Sequence, residues 1–197
     1  MKYGTHNSCT YAKLVWWQRP FAWLLNLTSK CQSKTIAEQL ADDVVLFQLQ
    51  IAKYQGNWHI SHGLCIYDLM SNDVLTELIQ SNKEVWLQLF LDKNFLLGQD
   101  FDAFQTYIGQ VQARLTGTNV HLLYAYIEKH GVAYVNKKCP TLSYSEHYWT
   151  TSWASKYAES LLDYLPLPKR HARLHNREYK FYNSSDVLML DFYELPK

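Results

Sequence analysis

Thr35-Ile36-Ala37-Glu38-Gln39-Leu40-Ala41-Asp42-Asp43-Val44-Val45-Leu46-Phe47-Gln48-Leu49-Gln50-Ile51 is the stretch whose reading sets the fold class. Thr35 and Glu38 stand three apart, the spacing at which a hydroxyl and a carboxylate satisfy each other's free backbone donors at a helix start. The short helix they open runs straight into Val44 to Ile51, a β-branched and apolar run suited to a buried strand.

The same order recurs downstream. Ser71 is placed to cap a helix whose Val74, Leu75, Leu78 and Ile79 repeat at helical spacing, with Asp73 near the positive end of its dipole. The strand Val85-Trp86-Leu87-Gln88-Leu89-Phe90-Leu91 follows it. Phe104, Ile108, Val111 and Leu115 mark one face of a helix from Asp102 to Leu115, Gly117 breaks the pattern, and Val120 to Tyr124 reads as the next strand. Val132 to Val135 is a short strand, Tyr157, Leu161 and Leu162 support a helix ending near Pro166, and Asp186 to Tyr193 is a closing strand. Only Pro166 to Asn176 reads as a long connection. Alternating helix and strand imply an α/β fold with a parallel sheet and helices outside, either open or closed into a barrel.

At 197 residues the chain suits one domain, residues 1–197, and is short for an eight-stranded α/β barrel, which takes roughly 200 residues or more. Apolar residues at 48% and charged residues at 19% describe a soluble globular protein. No apolar run reaches the ~18 residues of a spanning helix, and Met1-Lys2-Tyr3-Gly4-Thr5-His6 does not read as a secretory signal peptide. Sequence alone leaves the localisation unknown. Cys9, Cys31, Cys65 and Cys139 lack close pairing or metal-ligand spacing, which disfavours a disulfide framework and a local zinc motif.

A net charge of +1 argues against nucleic acid as a partner. The basic run from Lys169 to Arg177 reads first as a solvated loop, with a patch for anionic headgroups or phosphates as the functional alternative. Aromatic residues make up 15% of the chain, and Trp16, Trp17, Trp149 and Trp153 stand out. Core packing is the first reading for most of them, and a lipid interface the reading for some.

Chemistry-bearing residues concentrate in Gly4-Thr5-His6-Asn7-Ser8-Cys9-Thr10-Tyr11 and Trp58-His59-Ile60-Ser61-His62-Gly63-Leu64, with Cys31-Gln32-Ser33-Lys34-Thr35-Ile36-Ala37-Glu38-Gln39-Leu40 between them. Their order and spacing, continued by Glu84-Val85 through Leu91-Asp92-Lys93-Asn94, resemble the opening half of the phosphatidylinositol-specific phospholipase C family, the PLC-like phosphodiesterases. The resemblance runs from Gly4 to Asn94 and weakens afterwards, though Val187 to Phe192 is similar to the family's closing strand. It implies a small, distorted, incompletely closed TIM-type barrel with its reactive groups at the C-terminal ends of strands.

The resemblance also implies a phosphoric diester hydrolase or lyase that runs two histidines across the diester. His6 would be the base that removes a proton from an inositol 2-hydroxyl. His62 would be the acid that protonates the departing glycerol oxygen. Asp191 would orient His6 and stabilise its charged form. His59, His121, His130 and His147 lack such context and read as structural or exposed. The implied partner is an inositol phospholipid or another phosphodiester, with peripheral membrane contact possible in principle.

One departure is chemical. Where the family carries Asp-x-Arg or Glu-x-Asp, this chain has Gln48-Leu49-Gln50, and an amide neither matches a guanidinium nor holds calcium well. Among calcium-type positions only Asn7 and Asp92 keep useful oxygens, so calcium is not expected and no cofactor is implied. Asn7, Gln48, Gln50 and Lys93 are the substrate-binding candidates, with Lys93 or an arginine of the basic run replacing the lost charge. The alternative is a degenerate relative that binds a headgroup or a protein partner without turnover.

Overall fold

The computed structural model describes residues 2–92, 96–98, 100–125, 144–147, 165–176 and 187–194. The expected strand of Val132 to Val135 and the expected helix around Tyr157, Leu161 and Leu162 lie outside them, as do Cys139, Trp149, Trp153 and His130.

Strand β1 (Lys2–Thr5) leads through a short 3-10 helix (Trp16–Phe21) into helix α1 (Ala22–Ser29). Helix α2 (Ile36–Ala41) then opens on the expected capping box, with Thr35 and Glu38 exchanging both bonds. Strand β2 (Val44–Tyr54) follows, and β3 (Asn57–His62) and β4 (Cys65–Met70) return as a hairpin. Helix α3 (Ser71–Gln80), β5 (Val85–Leu91), α4 (Phe101–Leu115) and β6 (Val120–Ala125) continue the alternation. Strand β7 (Tyr144–His147), helix α5 (Pro168–His175) and β8 (Val187–Leu190) complete the described elements.

Six strands run parallel in the order β6-β5-β2-β1-β8-β7, and the β3–β4 hairpin adds antiparallel to the far end of β2. Among the described residues the sheet is open. The expected barrel is therefore replaced by a mixed α/β sheet: a closed barrel takes eight parallel strands, and here two strands turn back as a hairpin.

The sheet buries two apolar layers. Phe47, Leu49 and Ile51 of β2 with Leu87, Leu89 and Leu91 of β5 pack beneath the helices, against Ile36, Leu40, Val74, Leu75, Leu78, Phe104, Ile108 and Val111. Leu46, Trp86, Leu123, Val187 and Met189 form a smaller cluster, drawn from the alternate positions that face the other way.

Several local expectations change. Ser71 is the first residue of α3 and makes no cap; β4 runs directly into the helix, and the Ser71 hydroxyl accepts from Tyr107. The closing strand stops at Leu190, because Phe192 turns the backbone to φ 41°. The basic run is helix α5 rather than a loop, since Pro168 stands at the helix start, where its missing N–H costs nothing. Trp16 is 73% exposed, one of the aromatics for which core packing does not hold, and Trp23, not singled out from sequence, is 72% exposed. No helix among the described residues is long and apolar enough to cross a membrane.

β1 has only four residues and is flanked by β2 and β8, so its fit is tight. A Cβ at Gly4 would lie 3.0 Å from Leu46 Cβ and 3.2 Å from Val187 Cγ1. Gly4→Ala should therefore destabilise the protein by about 1–3 kcal/mol in urea unfolding. Gly109→Ala, in α4 with open space around its Cβ, should instead stabilise it by about 0.5–1 kcal/mol. Equal effects at the two sites would contradict this packing.

Candidate active site

β1 and β3 share one edge of β2. β1 pairs as far as Thr5↔Phe47, and β3 arrives from the opposite direction, pairing Tyr54↔Asn57 through Ile51↔Ile60. Where the two approach, His6 follows the last residue of β1 and His62 is the last residue of β3. The rings of His6 and His62 are 5.9 Å apart, edge to face.

The chain just after β1 is held by amides from the next helical region. Gln32 Nε2 donates to the carbonyls of His6 and Leu190, at 3.0 and 2.7 Å. Gln39 Nε2 donates to the carbonyls of Ser8 and Lys34, both at 2.7 Å, while its Oε1 accepts from Thr5 Oγ1 at 2.8 Å. Thr10 Oγ1 receives the N–H groups of Cys31 and Gln32. Neither Gln32 nor Gln39 was singled out from sequence as a site residue; a pair of amides flanking a capping box was the available signal. These bonds fix the turn that carries His6, in which Asn7 takes φ 48°, a conformation asparagine tolerates well.

Pairing of β1 with β8 places Asp191 beside His6. Thr5 aligns with Leu190, and His6 N–H donates to Leu190 O at 3.0 Å. His6 Nδ1 then lies 2.7 Å from Asp191 Oδ1, both side chains being buried. A carboxylate only accepts, so the Nδ1 carries the proton and Nε2 keeps the lone pair. Asn7 Nδ2, 3.0 Å away, donates to that lone pair. On the other side, Asn176 Nδ2 binds the carbonyls of Asp191 and Phe192, both at 3.1 Å, tying α5 to the end of β8.

His62 has a different anchor. Its Nδ1 donates to the Ser29 carbonyl at 2.8 Å, leaving Nε2 as the ring's acceptor. Burial, followed by the neighbouring His6, pushes the imidazole down to about 4, while Ser29 and Asp191 pull it the other way. The ring is neutral at pH 7. Gln18 braces the hairpin beneath it, donating to Leu64 O and accepting from Ile66 N–H.

Cys31 lies between the histidines. Its Sγ is 3.8 Å from His62 Nδ1 and 3.7 Å from Asn7 Nδ2. Burial, then the charge of Asp191, pushes its thiol well up, so it is protonated at neutral pH. Cys9 and Cys65 are likewise free and buried.

The remaining candidates are distributed unequally. Gln48 is buried, aligned with Gln88, and donates to Gln88 Oε1 at 3.0 Å. Its own Oε1 is buried without a hydrogen-bond partner, as is Asn7 Oδ1. Gln50 is half-buried two residues along the same strand. Asp92 is buried beyond β5 and accepts from Ser61 Oγ at 2.7 Å. Lys93 lies outside the described residues. His59 binds the Tyr67 carbonyl at 2.9 Å, and His121 lies near Glu84, as structural or exposed residues do.

His6, Cys31 and Asp191 are the group of close metal-ligating side chains among the described residues, and Asp92 is not part of it. That donor set carries one carboxylate, a poor match to calcium, which takes six to eight oxygens. The expectation against a zinc motif rested on local spacing, whereas these donors come from three distant points of the chain.

The chain shares its fold with bacterial phosphatidylinositol-specific phospholipases C. It is similar to the enzyme from Listeria monocytogenes with a TM-score of 0.59 at 12% identity, covering 97% of this chain and 87% of that one. A structure of the S. aureus enzyme, from work on modulation of its membrane binding, gives 0.58 at 10% identity over 97% and 85%. A double mutant of the S. aureus enzyme gives 0.58 at 9% identity, over 97% and 84%. No family model and no curated relative matches the chain.

The low pKa of His62 has a measurable consequence for stability. Between the ordinary 6.5 and about 4, the unfolded chain holds a proton on His62 that the folded chain does not. Its contribution is thus complete above pH 6.5 and is lost as pH falls toward 4. In urea unfolding, wild type should lose more stability between neutral and mildly acidic pH than His62→Gln does. Identical losses would show that His62 is not held neutral.

Proposed function

We propose that this protein is a phosphatidylinositol-specific phospholipase C-like phosphodiesterase, of one domain, acting on an inositol phospholipid or related diester through His6 and His62. The observation that carries this reading is the facing pair of imidazoles, 5.9 Å apart, with Asp191 behind one of them.

His6 Nε2 takes the proton of the 2-hydroxyl as that oxygen attacks phosphorus. Asp191 holds the opposite ring edge and stabilises the imidazolium that forms. His62 delivers a proton to the glycerol oxygen as the P–O bond breaks, giving a cyclic inositol phosphate and diacylglycerol. Attack is intramolecular, so no protein nucleophile is required. The partnerless oxygens of Asn7 and Gln48 are acceptors suited to a polyol's hydroxyls. The substrate hydroxyl replaces Asn7 Nδ2 at His6 Nε2.

His62 must gain a proton before it acts as an acid, and the phosphate supplies the reason. An anion beside the ring favours its charged form and opposes burial. The half-buried Arg170 of α5, and Lys93, are the cations proposed to meet the remaining phosphate charge. In NMR titrations, an inositol phosphate should raise the His62 midpoint by about one unit or more. An unmoved midpoint would remove His62 as the acid.

A lipid surface is the proposed setting. Trp16, Phe21, Trp23, Leu24 and Leu27 are exposed on the segment that ends at Ser29, the anchor of His62. Such an apolar, aromatic-rich helix suits the membrane interface. α5 packs against α1 and exposes Lys169 and Arg173, which favours anionic lipid. A Trp16→Ala, Trp23→Ala double variant should bind anionic vesicles severalfold more weakly, read by sedimentation. Undiminished binding would move the membrane contact elsewhere.

Gln48 and Gln50 favour a second reading, a headgroup binder without turnover. His6→Ala and His62→Ala should each lower cleavage of a phosphatidylinositol diester by at least ~100-fold, and cleavage should survive EDTA. Wild-type protein that binds inositol phosphates but cleaves no inositol diester would establish the binder instead.

A further inference from the structure

We propose that Cys31, His6, Asp191 and His62 together bind a soft divalent cation of the zinc class, and that the ion and the phosphodiester exclude each other. The ligand atoms of His6, Cys31 and Asp191 lie within 4.8 Å of one another, all three residues being buried. His62 Nδ1 is 3.8 Å from Cys31 Sγ. Bond lengths of about 2.3 Å to sulfur and 2.0–2.2 Å to nitrogen and oxygen place tetrahedral zinc ligands within reach of such spacings. The set of one thiolate, two imidazoles and one carboxylate is what zinc takes and what calcium and magnesium do not.

A second observation marks the same space. The Asn7 amide sits between His6 Nε2 and Cys31 Sγ, at 3.0 and 3.7 Å, and its Oδ1 is buried without a partner. A half-turn of that amide would offer the oxygen to an occupant of the cluster.

Binding has a definite proton balance. The ion's charge expels the Cys31 thiol proton to solvent as the sulfur–metal bond forms. His62 Nδ1 leaves the Ser29 carbonyl and His6 Nδ1 leaves the Asp191 carboxylate, each ring moving its proton to Nε2, so that both Nδ1 atoms and the Asp191 carboxylate become ligands. Both imidazoles are then committed to the metal, which is why a diester and the ion compete. That competition rests on the function proposed above; the metal site does not.

Cobalt(II), a spectroscopic stand-in for zinc, tests the site on the full-length protein. Titration should give intense tetrahedral visible bands and a sulfur-to-cobalt charge-transfer band, saturating at one ion per chain and abolished by zinc. Cys31→Ser should remove the charge-transfer band, and His62→Ala should weaken cobalt binding at least ~10-fold. Absence of the band in wild type overturns the site, as does a band undiminished in Cys31→Ser. Should circular dichroism show Cys31→Ser unfolded, His62→Ala and Asp191→Asn decide, and undiminished affinity in both overturns it. On a phosphatidylinositol substrate, zinc should inhibit and EDTA should reverse the inhibition. Full hydrolysis with zinc bound overturns the exclusion. No hydrolysis with EDTA present refutes the phosphodiesterase reading while the cobalt spectrum still decides the site.

Discussion

The bond between His6 Nδ1 and Asp191 Oδ1 joins residues 185 apart, and the arrangement of the site depends on it. It exists because β1 is seated between β2 and β8, with Gly4 against Leu46 and Val187. A glycine at that point lets three strands approach where any side chain would push them apart. Backbone pairing alone brings the two chain regions together, and the buried hydrogen bond then fixes the ring's tautomer. The site is therefore a property of the whole sheet, not of a local motif.

β2 supplies the second half of the geometry. With 11 residues it is the longest strand described, and its length lets one edge host two partners in succession. β1 runs parallel on the lower part, and β3 returns antiparallel on the upper part. Two strands approaching end to end on one edge must leave a gap, and the residues bordering it are His6 and His62. The hairpin that interrupts the parallel alternation is thus what brings the second histidine in. An uninterrupted strand-helix barrel would not deliver His62 from this direction.

This division explains what the sequence could show. The capping box at Thr35, the apolar run of β2 and the 3.6-residue periodicity of α4 are local signals, and each has its element where expected. The hairpin gave a weak signal, because the polar–apolar alternation from Asn57 to Ser61 lasts only five residues before His62, Gly63 and Leu64 break it. Exposed Trp16 and Trp23 broke the usual link between large apolar side chains and the core. The basic run lacked the apolar stripe that identifies a helix, although Pro168 could have marked its start. Gln32, Gln39 and Asn176 escaped notice because their side-chain amides bind backbone carbonyls, and Ser29 because it acts through its own carbonyl; pairing partners of that kind leave no residue pattern. The α/β class was therefore legible from periodicity, and His6, His62 and Asp191 were named through the family resemblance, while the amides and carbonyls that hold them were not legible.

The two histidines reside in environments that drive them apart chemically. His6 donates from Nδ1 to a buried carboxylate, which keeps Nε2 available as an acceptor. His62 faces a neutral carbonyl in a partly buried setting, and its own proton affinity is low. Two identical side chains thus acquire unequal character from their anchors, the general route by which paired groups take opposite roles. The asymmetry also sets a condition on any reaction here. In the reaction proposed above, His6 would receive a proton at Nε2, whereas His62 would gain one to give only when an anion enters the cleft. Under the phosphodiesterase function proposed above, substrate charge would then be part of the catalytic apparatus, and a neutral ligand of the same shape would leave the acid unprotonated.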